Sequence, residues 1–211
     1  MFDKFVSALE AELGKNLPGT GAQYRMAPPG RAGIDHSKLP GYAPKISSVL
    51  VLFYPFNARI KLLLMLRPPY RGAHGGQVSF PGGKFEEGDI TLERTALREA
   101  YEEVGFDPSR VNIIGRLTEL YIPPSNFLVH PFVGYCTARP SFTINKREVE
   151  KLLEVEVQEL LDETIVKTKT VEQSSTGIKF ETPSFDLHGE TVWGATAMIL
   201  SELKEILKEI L

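Results

Sequence analysis

The 211-residue sequence lacks the features of several large protein classes. Its only cysteine, Cys136, excludes an intramolecular disulfide and a zinc site built from several cysteines, and the apolar residues before it predict a buried thiol. No apolar run approaches the length of a membrane-spanning helix, about 18 residues. The first residues also lack the basic region followed by a long apolar run that is typical of a targeting segment. We therefore expect a cytoplasmic protein that makes no membrane contact.

An excess of basic charge is absent as well. The 24 Lys and Arg residues face 27 Asp and Glu residues, for a formal net charge of -3. A chain of this charge exerts no long-range attraction on a polyanion, so nucleic acid is disfavoured as the main partner. A hydrophobic content of 42% and a charged content of 24% are typical of an ordinary globular domain.

Apolar spacing predicts an α/β protein with a mixed sheet and helices packed on it. Residues 1–45 are expected to form an N-terminal helix over 2–13 followed by an irregular Gly/Pro-rich arm, both packed on a domain of residues 46–211. Further helices are predicted over 91–104 and 196–211, with a short one over 148–153. Strands are predicted over 48–53, 60–66, 111–120, 127–137, 165–171 and 178–185.

Three glutamates stand out on the predicted helix over 91–104. Glu99, Glu102 and Glu103 follow the spacing i, i+3 and i+4, so they lie side by side and repel one another. A divalent cation relieves this repulsion, because magnesium prefers carboxylate oxygens together with the oxygens of a phosphorylated substrate. The glycines at Gly82 and Gly83 let the backbone approach a ligand closely. These residues predict metal-dependent phosphate chemistry.

The same segment resembles the signature box of the Nudix hydrolases, which cleave nucleoside diphosphates linked to other groups. The likeness comprises Gly83, five residues, Asp89, eight residues and then residues 98–106, REAYEEVGF. Two departures are visible: the first acid of the box is Asp89 where the family usually has Glu, and the spacing from Asp89 to Arg98 is one residue longer than usual. The resemblance implies a Nudix-type α/β/α sandwich around a mixed sheet.

Residues outside the box are similar to the Nudix subgroup regarded as coenzyme A pyrophosphatases. The similarity covers the longer spacing, His74 and residues 76–83 after the run 63–67, and the later segments 131–133 and 192–197. This subgroup implies hydrolysis of coenzyme A or a derivative into phosphopantetheine and 3',5'-ADP. Met65, where the subgroup usually has Thr, and a loop one residue longer between Arg71 and Gly76 are the departures.

The resemblance also implies roles for individual residues. Glu99, Glu103, Glu102 and the Gly82 carbonyl are the expected ligands of Mg²⁺ or Mn²⁺, and Arg98 is expected to orient a glutamate. The general base stays open among Glu99, Glu148 and Glu150. Residues expected to contact substrate phosphates are Arg67, Arg71, His74, Gln77 and Lys84.

Several alternatives stay open. Solvent exposure is the competing interpretation for each basic residue of the loop, and Trp193 is expected to pack in the core rather than against a base. The apolar faces of the first and last helices are interpreted as core, with a homodimer interface as the alternative. A different nucleoside diphosphate derivative, such as ADP-ribose or a dinucleotide, is the second candidate substrate. A non-catalytic Nudix-fold binding module is the third hypothesis.

Overall fold

The computed structural model of the protein describes residues 1–31, 42–69, 75–172 and 176–211. Within these ranges the helices are α1 (Phe2–Leu13), α2 (Gly19–Gln23), α3 (Leu92–Val104), α4 (Val157–Leu161) and α5 (Gly194–Lys208). The strands are β1 (Lys45–Phe56), β2 (Arg59–Leu66), β3 (Val78–Ser79), β4 (Gly82–Lys84), β5 (Asn112–Arg116), β6 (Leu120–Ile122), β7 (Phe127–Tyr135), β8 (Lys151–Glu156), β9 (Val166–Glu172), β10 (Lys179–Leu187) and β11 (Glu190–Val192).

One mixed sheet forms the centre of the described chain. Its main strand order is β3-β2-β1-β7-β5, while β4 pairs with β1, β6 with β7 and β8 with β2. The β1–β7 pair is parallel, and the other pairs of this sheet are antiparallel. A second sheet of three strands has the order β11-β10-β9.

The central strand β1 explains why helices cover both faces of this sheet. Its side chains alternate, so Val51 and Phe53 join a core that contains residues of α1 and α5, whereas Leu50 and Leu52 join a second core that contains residues of α3. Both faces are apolar and both are covered. The predicted α/β/α sandwich with a mixed sheet is therefore confirmed.

The N-terminal region contains more regular structure than its composition predicts. Helix α1 begins and ends where the apolar spacing places it, and its Phe5, Val6 and Leu9 are buried. The expectation of an irregular arm is wrong for residues 19–26, which form α2 and a short 3₁₀ helix, Tyr24–Met26. Contacts with α5 stabilise this helix, and propensity within the arm does not reveal them. The division of the chain at residues 45 and 46 stays a prediction.

The prediction of a short helix over 148–153 is wrong. Residues 151–156 instead form β8, which pairs with β2 from Lys61↔Glu156 to Leu66↔Lys151. The buried side chains in this stretch, Leu153 and Val155, recur at every second residue, and this period fits a strand and not a helix. The predicted strand over 111–120 is two strands, β5 and β6, separated by residues 117–119, and the β5–β7 ladder shifts its register within β5 between Ile113 and Gly115.

The sequence also predicts a buried Cys136 thiol and no membrane-spanning segment. The Cys136 side chain is buried, as predicted, and burial raises the pKa of its thiol to about 11. In the described ranges, the helices are all too short or too polar to cross a bilayer.

Candidate active site

Helix α3 carries the glutamates to one edge of the sheet. Its first turn is capped by Thr91, whose Oγ1 accepts a hydrogen bond from the backbone N–H of Arg94 at 3.2 Å, and it ends at Gly105 in the left-handed region with φ 67°. Ala96, Ala100 and Val104 lie against the sheet. This packing directs the neighbouring face of α3, with its glutamates, towards the glycine-containing strand β4.

Glu103 is the most constrained of the glutamates. Its side chain is only 2% exposed, and its carboxylate accepts hydrogen bonds from the Gly82 backbone N–H at 2.7 Å and from Arg67 Nη2 at 2.9 Å. Burial raises the pKa of Glu103 to about 7, although Arg67 and the Gly82 N–H oppose this rise. Glu103 therefore belongs to the interior of a site and not to a solvated helix face.

Two further carboxylates share a cavity with Glu103. The cavity has a volume of about 790 Å³, and Glu99, Glu103 and Glu148 all line it. Burial raises the pKa of Glu99, and the negative charges of Glu99 and Glu148 contribute to the raised pKa of Glu103. Glu150, the other candidate base outside α3, does not line this cavity and is exposed.

Arg98 connects several parts of the site. It forms a bidentate ion pair with Asp89, in which the Nε–Oδ1 distance is 2.5 Å and the Nη2–Oδ2 distance is 2.9 Å. Its Nη2 also lies 3.0 Å from Glu99 Oε1. It also donates to the Lys84 carbonyl at 3.1 Å. The Arg98 guanidinium holds the pKa of Asp89 well below its usual range. Arg98 thus ties α3 to the loop before it and restrains Glu99.

A tight turn follows Asp89 in the segment before α3. Ile90 has φ 64° and ψ -46°, and the N–H of Thr91 donates to the Asp89 carbonyl at 2.6 Å across it. This γ-turn with positive φ is a strained conformation for a β-branched residue. It returns the chain to the helix start, so that the Asp89 carboxylate still reaches Arg98.

Glu102 is not brought into the cavity. Its side chain is 51% exposed, and its Oε1 lies 3.3 Å from Arg98 Nη1. The expected grouping of three neighbouring glutamates therefore separates into Glu99 and Glu103, which face the cavity, and Glu102, which faces solvent. Glu148, more than 40 positions further along the chain, is the third carboxylate in the cavity instead.

The residues expected to bind phosphate have different positions. Arg67, Gln77 and Lys84 line the cavity. Arg67 donates to Ser79 Oγ at 3.2 Å and to the Gly82 carbonyl at 3.3 Å besides its contact with Glu103, so its guanidinium bridges β3, β4 and α3. Arg71 and His74 lie outside the described residues.

The acidic side chains of the cavity suit a divalent cation by their chemistry. Within the described ranges, no three acidic, His or Cys side chains already surround a common point. Glu99, Glu103 and Glu148 nevertheless offer hard oxygen donors to one space, and burial together with mutual repulsion raises the pKa of Glu103 there. A bound cation would offset both effects.

Comparison with known proteins identifies the family of the chain. The family model of the NUDIX domain matches residues 44–173. The chain belongs to the Nudix family. It is 31% identical to "Nudix hydrolase 3" of Caenorhabditis elegans over 178 residues, which is 76% of this chain and 72% of the relative. It is 35% identical over 144 residues to the "Uncharacterized Nudix hydrolase NudL" of Yersinia pestis (strain Pestoides F), covering 68% of this chain and 71% of the relative.

A solved structure shows the same fold. A Nudix hydrolase from M. Smegmatis, RenU, has a TM-score of 0.56 and 18% sequence identity, covering 80% of this chain and 88% of that one. Members of the Nudix family are pyrophosphatases and generally use divalent metal ions. The chain is therefore a Nudix hydrolase, an enzyme of the pyrophosphatase class.

Sequence reasoning missed several residues around the Nudix cavity. Trp193 lines the cavity, with the Phe180 ring edge-on to it at a centroid distance of 5.7 Å, so its expected place in the core is wrong. Arg31 and Ser125 also line the cavity. Arg31 and Phe180 belong to segments outside the Nudix box that carry no local motif, so only the fold reveals their proximity.

Gly83 provides a direct test of the Glu99 position. A Cβ at residue 83 would fall on the Glu99 carboxylate, so Gly83→Ala is expected to displace that side chain. We expect kcat to fall by about 100-fold, the usual consequence of misplacing a reacting group by about 1 Å. Steady-state kinetics with a saturating divalent metal measure this effect.

Gly88 supplies the matched control for that substitution. It lies in the same segment, and a Cβ there meets no atom within 4 Å. Gly88→Ala should leave kcat within a factor of about 2, since it introduces the same methyl group without a clash. Equal activity of the two variants would mean that the Glu99 position does not matter for catalysis.

Proposed function

We propose that this Nudix enzyme hydrolyses the diphosphate bond of coenzyme A or a derivative, giving phosphopantetheine and 3',5'-ADP. The observation that carries the proposal is the extent of the cavity on both sides of the carboxylates. Its volume of about 790 Å³ is near the upper end for small-molecule sites. Such a cavity suits a diphosphate that carries a large group at each end.

The sheet topology explains the two sides. The cavity lies where β1 and β7 begin, and β4 together with Glu99 and Glu103 of α3 forms the middle of its lining. On one side lie β3 and the start of α5, which are joined by a hydrogen bond of 2.9 Å from Thr196 Oγ1 to the Val78 carbonyl. On the other side lie β7 and the turn before it, residues 123–126. The resemblance of residues 76–83 to the coenzyme A subgroup favours this substrate over ADP-ribose or a dinucleotide.

The chain's own residues divide the work as follows. Glu99 and Glu103 would hold Mg²⁺ or Mn²⁺ together with the Gly82 carbonyl, and Glu102 would take part at most through water. A metal held there would supply positive charge next to the diphosphate and would lower the pKa of a nearby water. Arg98 is a positioning residue that orients Glu99, while Arg67, Gln77 and Lys84 face the phosphate oxygens. Arg71 and His74 keep the same proposed role.

Glu148 is our choice of general base. It faces the cavity, and its Oε1 accepts a hydrogen bond from Asn145 Nδ2 at 3.2 Å, whereas Glu99 is already engaged by Arg98. Glu148 accepts a proton from water as the water oxygen forms a bond to phosphorus. The bond from phosphorus to the bridging oxygen breaks, and the departing phosphate retains the electron pair.

Replacing Glu148 tests its proposed role as the general base. Glu148→Gln is expected to lower kcat by about 100-fold with little change in KM, because general-base catalysis contributes about 100- to 10,000-fold and the amide accepts no proton. Glu150→Gln is the matched control, since Glu150 lies two residues away and outside the cavity. Full activity of the Glu148 variant would remove it from the mechanism.

A substrate panel tests the proposed function. The enzyme is incubated with Mg²⁺ or Mn²⁺ and, separately, coenzyme A, acetyl-coenzyme A, ADP-ribose, reduced NAD and diadenosine polyphosphates, and the products are identified by mass spectrometry. We expect phosphopantetheine or its acyl derivative and 3',5'-ADP. Intact coenzyme A beside a cleaved second substrate contradicts the proposal. Tight binding without hydrolysis of any compound would favour a non-catalytic module.

A further inference from the structure

Arg31 is a cavity residue that the proposed mechanism does not use. It follows the helical segments of the N-terminal region, where its backbone N–H donates to the Pro28 carbonyl at 3.3 Å. Its Nη2 donates to the Tyr121 carbonyl in β6. Its Nε is shielded from solvent and has no acceptor among the described residues. A buried guanidinium donor without an acceptor is energetically costly.

Within the described ranges, Arg31 also has no carboxylate as an ion-pair partner. Burial lowers the pKa of Arg31, and the group that opposes this shift is the Tyr24 hydroxyl and not a carboxylate of the described chain. Of the acidic side chains that share the cavity, Glu103 pairs with Arg67 and Glu99 with Arg98, while Glu148 accepts a hydrogen bond from Asn145. A half-buried cation without a counter-ion among the described residues favours an anionic ligand.

A second unsatisfied polar group lines the same cavity. Ser125 lines the cavity, and its Oγ is shielded from solvent without a hydrogen-bond partner in the described ranges. Ser125 belongs to the turn that directly follows β6, the strand whose Tyr121 carbonyl accepts the Arg31 hydrogen bond. A guanidinium and a hydroxyl that line one cavity beside the same strand are typical ligands of a phosphate monoester.

We propose that Arg31 and Ser125 form a second anion subsite, which binds a phosphate group of the substrate that is not part of the cleaved diphosphate. The inference rests on the proposed function in that it assigns the 3'-phosphate of coenzyme A to this subsite. ADP-ribose and simple dinucleotides carry no such phosphate, so the subsite selects among the candidate substrates.

The separation across the sheet supports a distinct phosphate. Gly82 of β4 pairs with Val49 of β1, β1 pairs with β7, and β7 pairs with β6. Three neighbouring strand spacings amount to about 14 Å. Phosphates that share a bridging oxygen lie much closer together than this. A group that contacts Arg31 therefore lies apart from a diphosphate bound beside Gly82, as a third phosphate on the ribose does.

The kinetic test compares coenzyme A with 3'-dephospho-coenzyme A. The wild-type enzyme should show a kcat/KM about 10- to 100-fold higher for coenzyme A, as expected when a buried charged group recognises the phosphate. Arg31→Gln should remove this preference by raising KM for coenzyme A alone, and Arg31→Lys should restore part of it. Equal losses for both substrates, or no preference in the wild type, would overturn the subsite.

Two further variants keep the test decisive. Ser125→Ala should lower kcat/KM for coenzyme A by about 10- to 100-fold and spare the dephosphorylated substrate, the usual cost of one lost hydrogen bond to a charged group. It remains informative if Arg31→Gln does not fold. Arg25→Gln is the matched control, because Arg25 is an exposed arginine of the same arm that pairs with Glu205. It should change neither substrate.

A binding experiment distinguishes failure of the subsite from failure of the proposed function. Calorimetry with 3',5'-ADP and with ADP measures the contribution of the 3'-phosphate without any hydrolysis. Tighter binding of 3',5'-ADP that disappears in Arg31→Gln supports the subsite, even if the substrate panel shows that coenzyme A is not cleaved. Equal affinity for both nucleotides overturns the subsite whichever substrate is hydrolysed.

Discussion

Replacing Glu103 with glutamine is expected to lower kcat by at least about 100-fold while the enzyme remains folded. The carboxylate receives hydrogen bonds from the Gly82 N–H and from Arg67, and it faces the cavity beside Glu99. Glutamine keeps the volume and removes the negative charge that a metal ligand supplies. Since burial disfavours the charged form of Glu103, we expect the Tm to fall by no more than about 3 °C. Metal-saturated kinetics and calorimetric melting measure the two effects.

Glu102→Gln is the matched control for this prediction. Glu102 precedes Glu103 on the same helix, but it is half exposed and only contacts Arg98. Its replacement should change kcat by less than about 3-fold, because an exposed ion pair contributes little. A loss as large as that of Glu103→Gln would restore Glu102 to the expected group of metal ligands and contradict the arrangement of the cavity.

The elements with local signals are the ones that the sequence predicts well. Helix α3 has a capping threonine, an apolar stripe and a glycine suited to positive φ at its end, and the structure bounds it at Leu92 and Val104. The β1–β2 hairpin is equally local, since two apolar runs flank Asn57 and Ala58, which both adopt positive φ. Each of these elements depends on residues a few positions apart.

The glutamate site depends on contacts that the sequence does not display. Helical spacing brings Glu99, Glu102 and Glu103 together, but the approach of β4 decides which of them is buried. That approach requires Gly82, whose φ is 148° and whose missing Cβ leaves room for the backbone of β1 at Ser48 and Val49. Spacing along one helix therefore predicts the candidates, and long-range packing selects among them.

In the N-terminal arm, tertiary contacts determine the secondary structure more strongly than local sequence propensity does. Its Gly- and Pro-rich composition favours irregular structure, yet Gly19–Gln23 is helical because α5 supplies hydrogen-bond partners. The same packing brings Arg31 to the cavity. No motif in the sequence links residue 31 to Tyr121 or Ser125, so this end of the site becomes visible only once the chain is folded.

Glu202 is the α5 residue that organises this packing, and its removal should have the largest effect on stability. Its carboxylate is completely buried and accepts hydrogen bonds from Gln23 Nε2 at 2.9 Å, the Gly19 N–H at 3.1 Å and Thr118 Oγ1 at 2.6 Å. Glu202→Ala leaves these donors unsatisfied and opens a cavity. We expect the free energy of unfolding to fall by about 3–5 kcal/mol and the Tm by roughly 10 °C.

Glu205→Ala on the same helix is the control, because Glu205 forms only partly exposed pairs with Arg25 and Lys208. This substitution should lower the free energy of unfolding by less than about 1 kcal/mol.

The Glu202 network joins α5 to α2 and to the segment before β6, so it holds the arm that carries Arg31. Below its lowered Tm, Glu202→Ala should therefore raise KM for coenzyme A more than for 3'-dephospho-coenzyme A and change kcat little. Equal stability of the two variants would show that the arm is anchored by its apolar contacts and not by this carboxylate.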